Sequence, residues 1–402
     1  MPLPSTTAAI FRFPHNWSSS VTESREYKTD VMRSRDGTEQ RRAMRSKPRK
    51  SLSFDVLLDG NDATALDYML YALQPHVWLL PQWHRQRRLA SSAATGTDIL
   101  VLDQPVAYDA QAGDYLVLMR TGQEPEAQTI AAIAGDRVTI TLVDTLEADW
   151  STYSAVYPAV PAQINGAASG KRLTSGVLRL PLSFSYIVDS RPPVSSTLTA
   201  DDTIGDLEVL VRPINWVNSP EAGYAWVPMM IDAQIGPTAY ETDGDLPPNT
   251  RKGEVTTETR AETDWWLAFF DRCRGRQRPF LMPTWWDINL QDPLTAGATF
   301  EVPGTELGTY LTGDPIHTHL MVRKRDRSLA FFEITALTAN VNDGVTVITT
   351  TEAWAEAYEP WECVQACLVS VCRLASDRLE IEWITDEVAK FAIAIQIVED
   401  VA

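Results

Sequence analysis

The sequence predicts a mainly β protein (α+β). It reads as two tandem repeats, each a β-sandwich or barrel-like unit with one helix and an appended small β-barrel. Three observations carry this. A helix-to-aromatic-strand corner is written twice, as Val77-Trp-Leu-Leu-Pro-Gln-Trp-His84 and as Arg278-Pro-Phe-Leu-Met-Pro-Thr-Trp-Trp-Asp287, each after an apolar helical run. Short alternating apolar segments divided by Gly- and Asp-bearing turns follow each corner. The matched positions keep one order, with offsets of about 199 to 207 residues.

Taken in order, residues 1–92 form the first unit with a basic N-terminal arm. Phe11-Arg-Phe-Pro-His-Asn-Trp17 opens it, and Tyr27, Thr29 and Val31 at period two suggest a strand over 21–35. Asp36-Gly37 reads as a tight turn. A strand follows at Ser51–Leu58, then a helix that Asp59-Gly-Asn-Asp62 starts and Pro75 stops. Residues 93–160 form a small β module, with strands at 98–102, 114–119, 128–133 and 137–142 and a returning segment at 155–160. Residues 161–190 close the unit, where Pro181 marks the long strand 178–187 as an edge or a bulge.

Residues 191–203 read as a linker by composition. The second unit spans 204–290, its small β module 291–360 and its closing strands 361–402. Here Pro213, Asn215 and Trp216 repeat Pro14, Asn16 and Trp17; Pro283 and Trp285 repeat Pro81 and Trp83; Phe280 belongs to the second corner. Arg373-Leu374 is expected where Arg172-Leu173 stood, and the strand 391–398 repeats the one near Phe184.

Charge divides the chain. Residues 1–50 hold 11 Lys and Arg against 5 Asp and Glu, and the remainder 24 against 48. An acidic body excludes free, sequence-specific nucleic-acid binding, which needs a basic face. The basic arm (Arg33, Arg35, Arg41, Arg42, Arg45, Lys47, Arg49) is expected to lie on an acidic neighbour, such as another copy of the chain. No apolar run approaches the ~20 residues of a membrane span. The N-terminus lacks a signal pattern, so an intracellular product is expected. Four Cys, all beyond residue 272, argue against a disulfide framework.

Candidate chemistry is thin. Cys363, Cys367 and Cys372 offer thiolates, but without a Cys-x-x-Cys; on a strand Cys363 and Cys367 lie about 13 Å apart, too far for one metal. His317 and His319 share a strand face without an evident third ligand. No metal or cofactor is expected. Nothing singles out a carboxylate pair for glycoside hydrolysis, and the phosphate-loop, nucleophile-elbow and zincin motifs are absent. No catalysis is expected.

The order Phe13–Trp17, Tyr27-Lys-Thr-Asp-Val31, Gly37-Thr-Glu39-Gln-Arg41, Pro48-Arg49, helix and Trp83 resembles the distal tail or baseplate proteins of long-tailed bacteriophages and gene transfer agents. Trp266 to Phe280 followed by Pro283-Thr-Trp285 resembles the family's helix-to-strand corner. The resemblance covers about half the chain. It departs from the family in holding two units, and the second unit lacks the basic Gly-Thr-Glu-Gln-Arg segment. It implies tail-tube-type units in a ring at the virion's tail tip, assembled in the host cytoplasm. Its expected neighbours are the tail tube protein, the baseplate hub, the tape measure protein and the tail fibres. Two units per chain imply a trimer with pseudo-sixfold symmetry; a hexamer with the second unit outside the ring is the other arrangement. The alternative expectation is a carbohydrate-binding or host-recognition tail component, with or without glycan hydrolase activity.

Overall fold

A computed structural model describes residues 7–33, 39–187, 198–215, 221–224, 229–232, 234, 236–241, 249–290, 297–313, 316–353 and 362–398. The protein is mainly β, as expected, with ladders that, among the described residues, are antiparallel apart from two parallel pairs. The first half holds β1 (Thr7–Ile10), β2 (Val21–Glu26), β3 (Thr29–Arg33), β4 (Glu39–Ala43), β5 (Arg49–Asp59), α1 (Gly60–Leu73), β6 (Val77–Pro81), β7 (Arg87–Arg88) and β8 (Ile99–Val101). It continues through β9 (Tyr115–Met119), β10 (Glu126–Ile133), β11 (Thr139–Leu142), β12 (Ala155–Ile164), β13 (Lys171–Arg172) and β14 (Val177–Tyr186).

The second half holds β15 (Asp202–Ile204), β16 (Leu207–Val209), β17 (Glu221–Tyr224), β18 (Met229–Ile231), β19 (Ala239–Glu241), β20 (Asn249–Thr257), α2 (Arg260–Cys273), β21 (Phe280–Pro283) and β22 (Thr299–Pro303). It closes with α3 (Glu306–Tyr310), β23 (His317–Lys324), β24 (Leu329–Asn340), β25 (Val345–Thr350), β26 (Cys363–Leu374), β27 (Arg378–Trp383) and β28 (Ala389–Ile397).

The pairing order of the first half recurs in the second. The series β2–β5–β14–β12–β6–β1, with β6–β1 parallel, is matched by β17–β20–β28–β26–β21–β16, with β21–β16 parallel. Asn16 N donates to Asp55 O at 2.7 Å, and Asn215 N to Glu254 O at 3.0 Å. Pro81 pairs with Ala159 on β12, and Pro283 with Val369 on β26. Hairpin partners β13–β14 answer β27–β28, and β3–β4 answers β18–β19. The register corrects one expectation: Arg373 pairs with Gln396 where Gln163 pairs with Ser185, so Arg373-Leu374 answers Gln163-Ile164, and Arg172 lies on the separate hairpin strand β13.

Each small module branches from the same place. β12–β9–β10–β11–β8 runs round to a bridge between Leu102 and Leu89 beside β7, and β7 returns to β12. That closes a barrel over Leu100, Leu118, Ile140 and Trp150, and a closed barrel leaves no edge. In the second half β26–β23–β24–β25–β22 follow the same order over Phe300, Leu320, Phe332 and Ile348.

Sequence explains the two helices differently. The start of α2 is capped on both sides of Thr259: Glu262 N donates to Thr259 Oγ1 at 3.3 Å, and Glu258 N, one residue before the cap, donates to Glu262 Oε2 at 3.1 Å. Asp59 ahead of α1 makes no side-chain cap. α2 buries Trp265, Trp266, Leu267, Ala268, Phe269 and Phe270, whereas α1 buries only Ala63 and Leu66. Pro181 lies inside β14, not on an outer edge. On the side away from β5, β14 pairs with β13 through Arg179 and with β12 only from Phe184, so Pro181 falls in a gap of that ladder.

The expected strand over 21–35 is two, since the chain leaves β2 at Glu26 and starts β3 at Thr29. The Asp36-Gly37 turn lies outside the described residues, as does most of the stretch read as a linker; Asp202, at its end, already belongs to β15.

Candidate functional site

The two halves are joined edge to edge. β2 pairs with β5 on one side and with β27 on the other, from Val21 opposite Trp383 to Glu26 opposite Arg378. A single sheet, β14–β5–β2–β27–β28–β20–β17, therefore runs through both halves. Glu23 and Arg25 stand in phase with Val21, on the buried face of β2. Buried charges persist there only if partnered.

The partners are present. Glu23 accepts from Arg25 Nε at 3.0 Å, Arg85 Nη2 at 3.3 Å and Trp383 Nε1 at 3.3 Å, and lies 3.2 Å from His84 Nε2. Arg25 reaches Asp271 on α2 at 2.9 Å and Asp109 at 3.4 Å. Tyr27 and Tyr108 both donate to Asp271, at 3.0 and 2.6 Å. Arg85 and Lys50 hold Asp109 at 3.0 and 2.7 Å. Arg260 at the start of α2 donates to the His84 carbonyl and lies over the Trp383 ring.

Asp377 ties the joint a second time, accepting from Thr29 N at 2.6 Å and Arg276 N at 2.9 Å. Gly275 beside it has φ +63°, and a Cβ there would come within 2.6 Å of Asp377 Oδ1. A cavity of about 540 Å³ adjoins the cluster, with Lys50, Arg85, Tyr108, Asp109 and Asp271 in its wall.

Electrostatics follows from this packing. Burial alone would raise the Glu23 carboxyl, but Arg85 and Arg25 hold it well below the usual carboxylate range. Asp109 is lowered likewise, as Lys50, Arg85 and Arg25 outweigh its burial. Burial, then Asp271, pushes the Tyr108 hydroxyl up, whereas Arg25 opposes the rise. Burial lowers His84 to about 4 despite its bond to Glu23. Asp264 on α2 is raised by burial. The cluster is a clamp of buried side chains that partner one another across the joint.

Of the arm residues, Arg41 falls on this joint, against the second half of its own chain. Arg41 bonds Glu39 and donates to the Arg276 carbonyl at 2.7 Å, and Arg45 bonds Glu26 at 3.1 Å. The acidic neighbour expected for the arm is thus, for Arg41, a backbone carbonyl of the second half. Arg42 and Arg49 are exposed on β4 and β5, and Lys47 lines the cavity. Arg35 and the Arg33 side chain lie outside the described residues.

Of the corner residues, Trp83, Pro81, Phe280 and Pro283 are buried and Trp285 is half-buried at φ 58°. Trp17 is a correction: it is 42% exposed, edge-on to His15, because the chain turns outward after Phe13. Trp216 lies outside the described residues. The four Cys are free thiols. Cys363, Cys367 and Cys372 on β26 pack into three different apolar clusters. His317 and His319 lie on β23, with His319 Nδ1 2.8 Å from Thr318 Oγ1. Among the described residues no three His, Cys, Asp or Glu side chains gather as a metal site, and no helix is long and apolar enough to cross a membrane.

The ionic cluster is what sequence reasoning missed. Its signal was available: Glu23 and Arg25 occupy the phase of a strand that Val21 marks as inward. No family model matches the chain, and no curated protein matches its sequence.

Proposed function

We propose that this chain is a structural protein of a bacteriophage tail tip, a distal tail or baseplate ring component that connects the tail tube to the hub and fibres. The carrying observation is the joint itself. Two halves with one pairing order, read here as copies of a single unit, are locked side by side into one sheet by β2 and β27. A protein whose second half repeats the neighbour relation of its first suits a ring in which each chain supplies two adjacent positions. Three chains then complete a pseudo-sixfold circle.

The reading assigns no catalysis to the chain and places its work in geometry. The clamp at the joint supports this, because its contacts to Asp271, Asp377 and Trp383 tie the two units together. The small modules around Trp150 and Phe300 are assigned to outward contacts with fibres or tip proteins.

Antibodies against the chain, applied to purified tailed particles from its source and viewed by electron microscopy, test the proposal. Label confined to the distal end of the tail supports it. Absence of the chain from such particles overturns it.

A further inference from the structure

The joint between the halves has a counterpart that is left open. β17 pairs with β20 as β2 pairs with β5: Glu221 stands opposite Lys252 where Thr22 stands opposite Ser53. β13 lies on β14 as β27 lies on β28: Lys171 stands opposite Arg179 where Glu382 stands opposite Lys390. Within the chain β2 and β27 pair with each other. Among the described residues β17 pairs only with β20, and β13 only with β14. The chain thus carries one filled joint and both separate sides of another.

We infer that the β13 edge and the outer face of α1 receive the β17 edge and the β18–β19 hairpin of a second copy of this chain. The inference rests on the ring reading above and names the surfaces that close the ring. In the filled joint Thr22 faces Glu382. Transposed, Glu221 of one copy faces Lys171 of the next, a cross-strand pair of opposite charge.

Side chains on both faces agree. The two helices are each 14 residues long and match position for position. In α2, Ala268 is buried and Asp271 is bonded to the first half. In α1 the same positions are Tyr68, 71% exposed, and Tyr71, 92% exposed. The β3–β4 arm that lies against the second half has its counterpart in the β18–β19 hairpin, where Met230 is 55% and Tyr240 66% exposed. On α1 two exposed tyrosines thus sit where the filled joint has a buried residue and a bonded one, and the β18–β19 hairpin offers an exposed apolar surface to meet them. Such surfaces mark association sites, and the contact of unlike faces is head to tail.

The test uses full-length Lys171→Cys and Glu221→Cys chains, oxidised separately and as an equal mixture, then run on a non-reducing gel. The expected result is a covalent pair of twice the 44.8 kDa chain in the mixture and little in either variant alone. Tyr71→Glu in the same background is expected to cut the cross-linked yield at least tenfold. Equal cross-linking of each variant with itself overturns the inference, because it reports random collision. No cross-link in a sample that light scattering finds oligomeric overturns these edges as the joint and leaves the tail-tip reading standing. No cross-link in a monomeric sample overturns the self-partner altogether; particle labelling then decides the tail-tip reading independently.

Discussion

Trp383 Nε1, on the last hairpin of the second half, donates to Glu23 Oε2 at 3.3 Å on the first half's β2. The two residues are 360 positions apart in sequence. The same carboxylate holds Arg25 and Arg85, both fully or nearly fully buried. Glu23 therefore steadies Arg25, which in turn reaches Asp271 on the second half.

Glu23→Ala is expected to cost about 3–5 kcal/mol, because it removes the carboxylate shared by two buried guanidinium groups and leaves them only the carboxylates of Asp109 and Asp271. Urea unfolding of the purified variant measures it. A loss below about 1 kcal/mol would mean that water reaches the joint and screens it.

Acid should loosen the joint in two stages. His84 has its folded pKa lowered from 6.5 to about 4, so the unfolded chain takes up a proton first as pH falls. Its contribution, about 3 kcal/mol for complete burial, is full above pH 6.5 and is lost between there and about 4. His15 adds the same direction. Glu23 and Asp109, lowered carboxylates, lose their contributions at still lower pH, as it falls through their folded values. Melting temperature followed from pH 7.5 downward should decline less steeply in His84→Gln; an unchanged slope between 6.5 and 4 contradicts the assignment to His84.

α1 offers a contrast between two faces. Leu66 is wholly buried and Tyr71 almost wholly exposed. Leu66→Ala should cost about 2–5 kcal/mol. Tyr71→Ala should stay within about 0.5 kcal/mol in the dissociated chain and weaken self-association instead. Denaturation at low concentration and sedimentation at high concentration separate these two effects.

Gly275→Ala should destabilise by about 1–3 kcal/mol, since the residue is left-handed and its neighbour Asp377 leaves no room for a methyl group. Thermal melts against Gly313→Ala provide the reference: Gly313 is also left-handed, at φ +74°, but opens on empty space. Equal losses would locate the cost in the backbone alone.

Much of the architecture was legible because strands advertise themselves locally. Alternation marked β8 to β11, and the matched Pro81 and Pro283 occupy matched register positions. The joint was not legible, because edge pairing between β2 and β27 is a contact of distant segments whose sequences carry no trace of each other. β13 and β27 were missed for a related reason. Two or six residues with charged outward faces, such as Lys171-Arg172 or Glu380 and Glu382, read as loop until a partner strand is in place. Trp17 was misjudged because its place in the repeat fixes the backbone but not the depth of the side chain.

Molar mass in solution, measured by light scattering over a range of concentration, tests the ring most directly. The account predicts a closed species of three chains, near three times 44.8 kDa, that Tyr71→Glu dissociates. A stable monomer at every concentration, or an assembly of six, would contradict a ring in which each chain fills two positions.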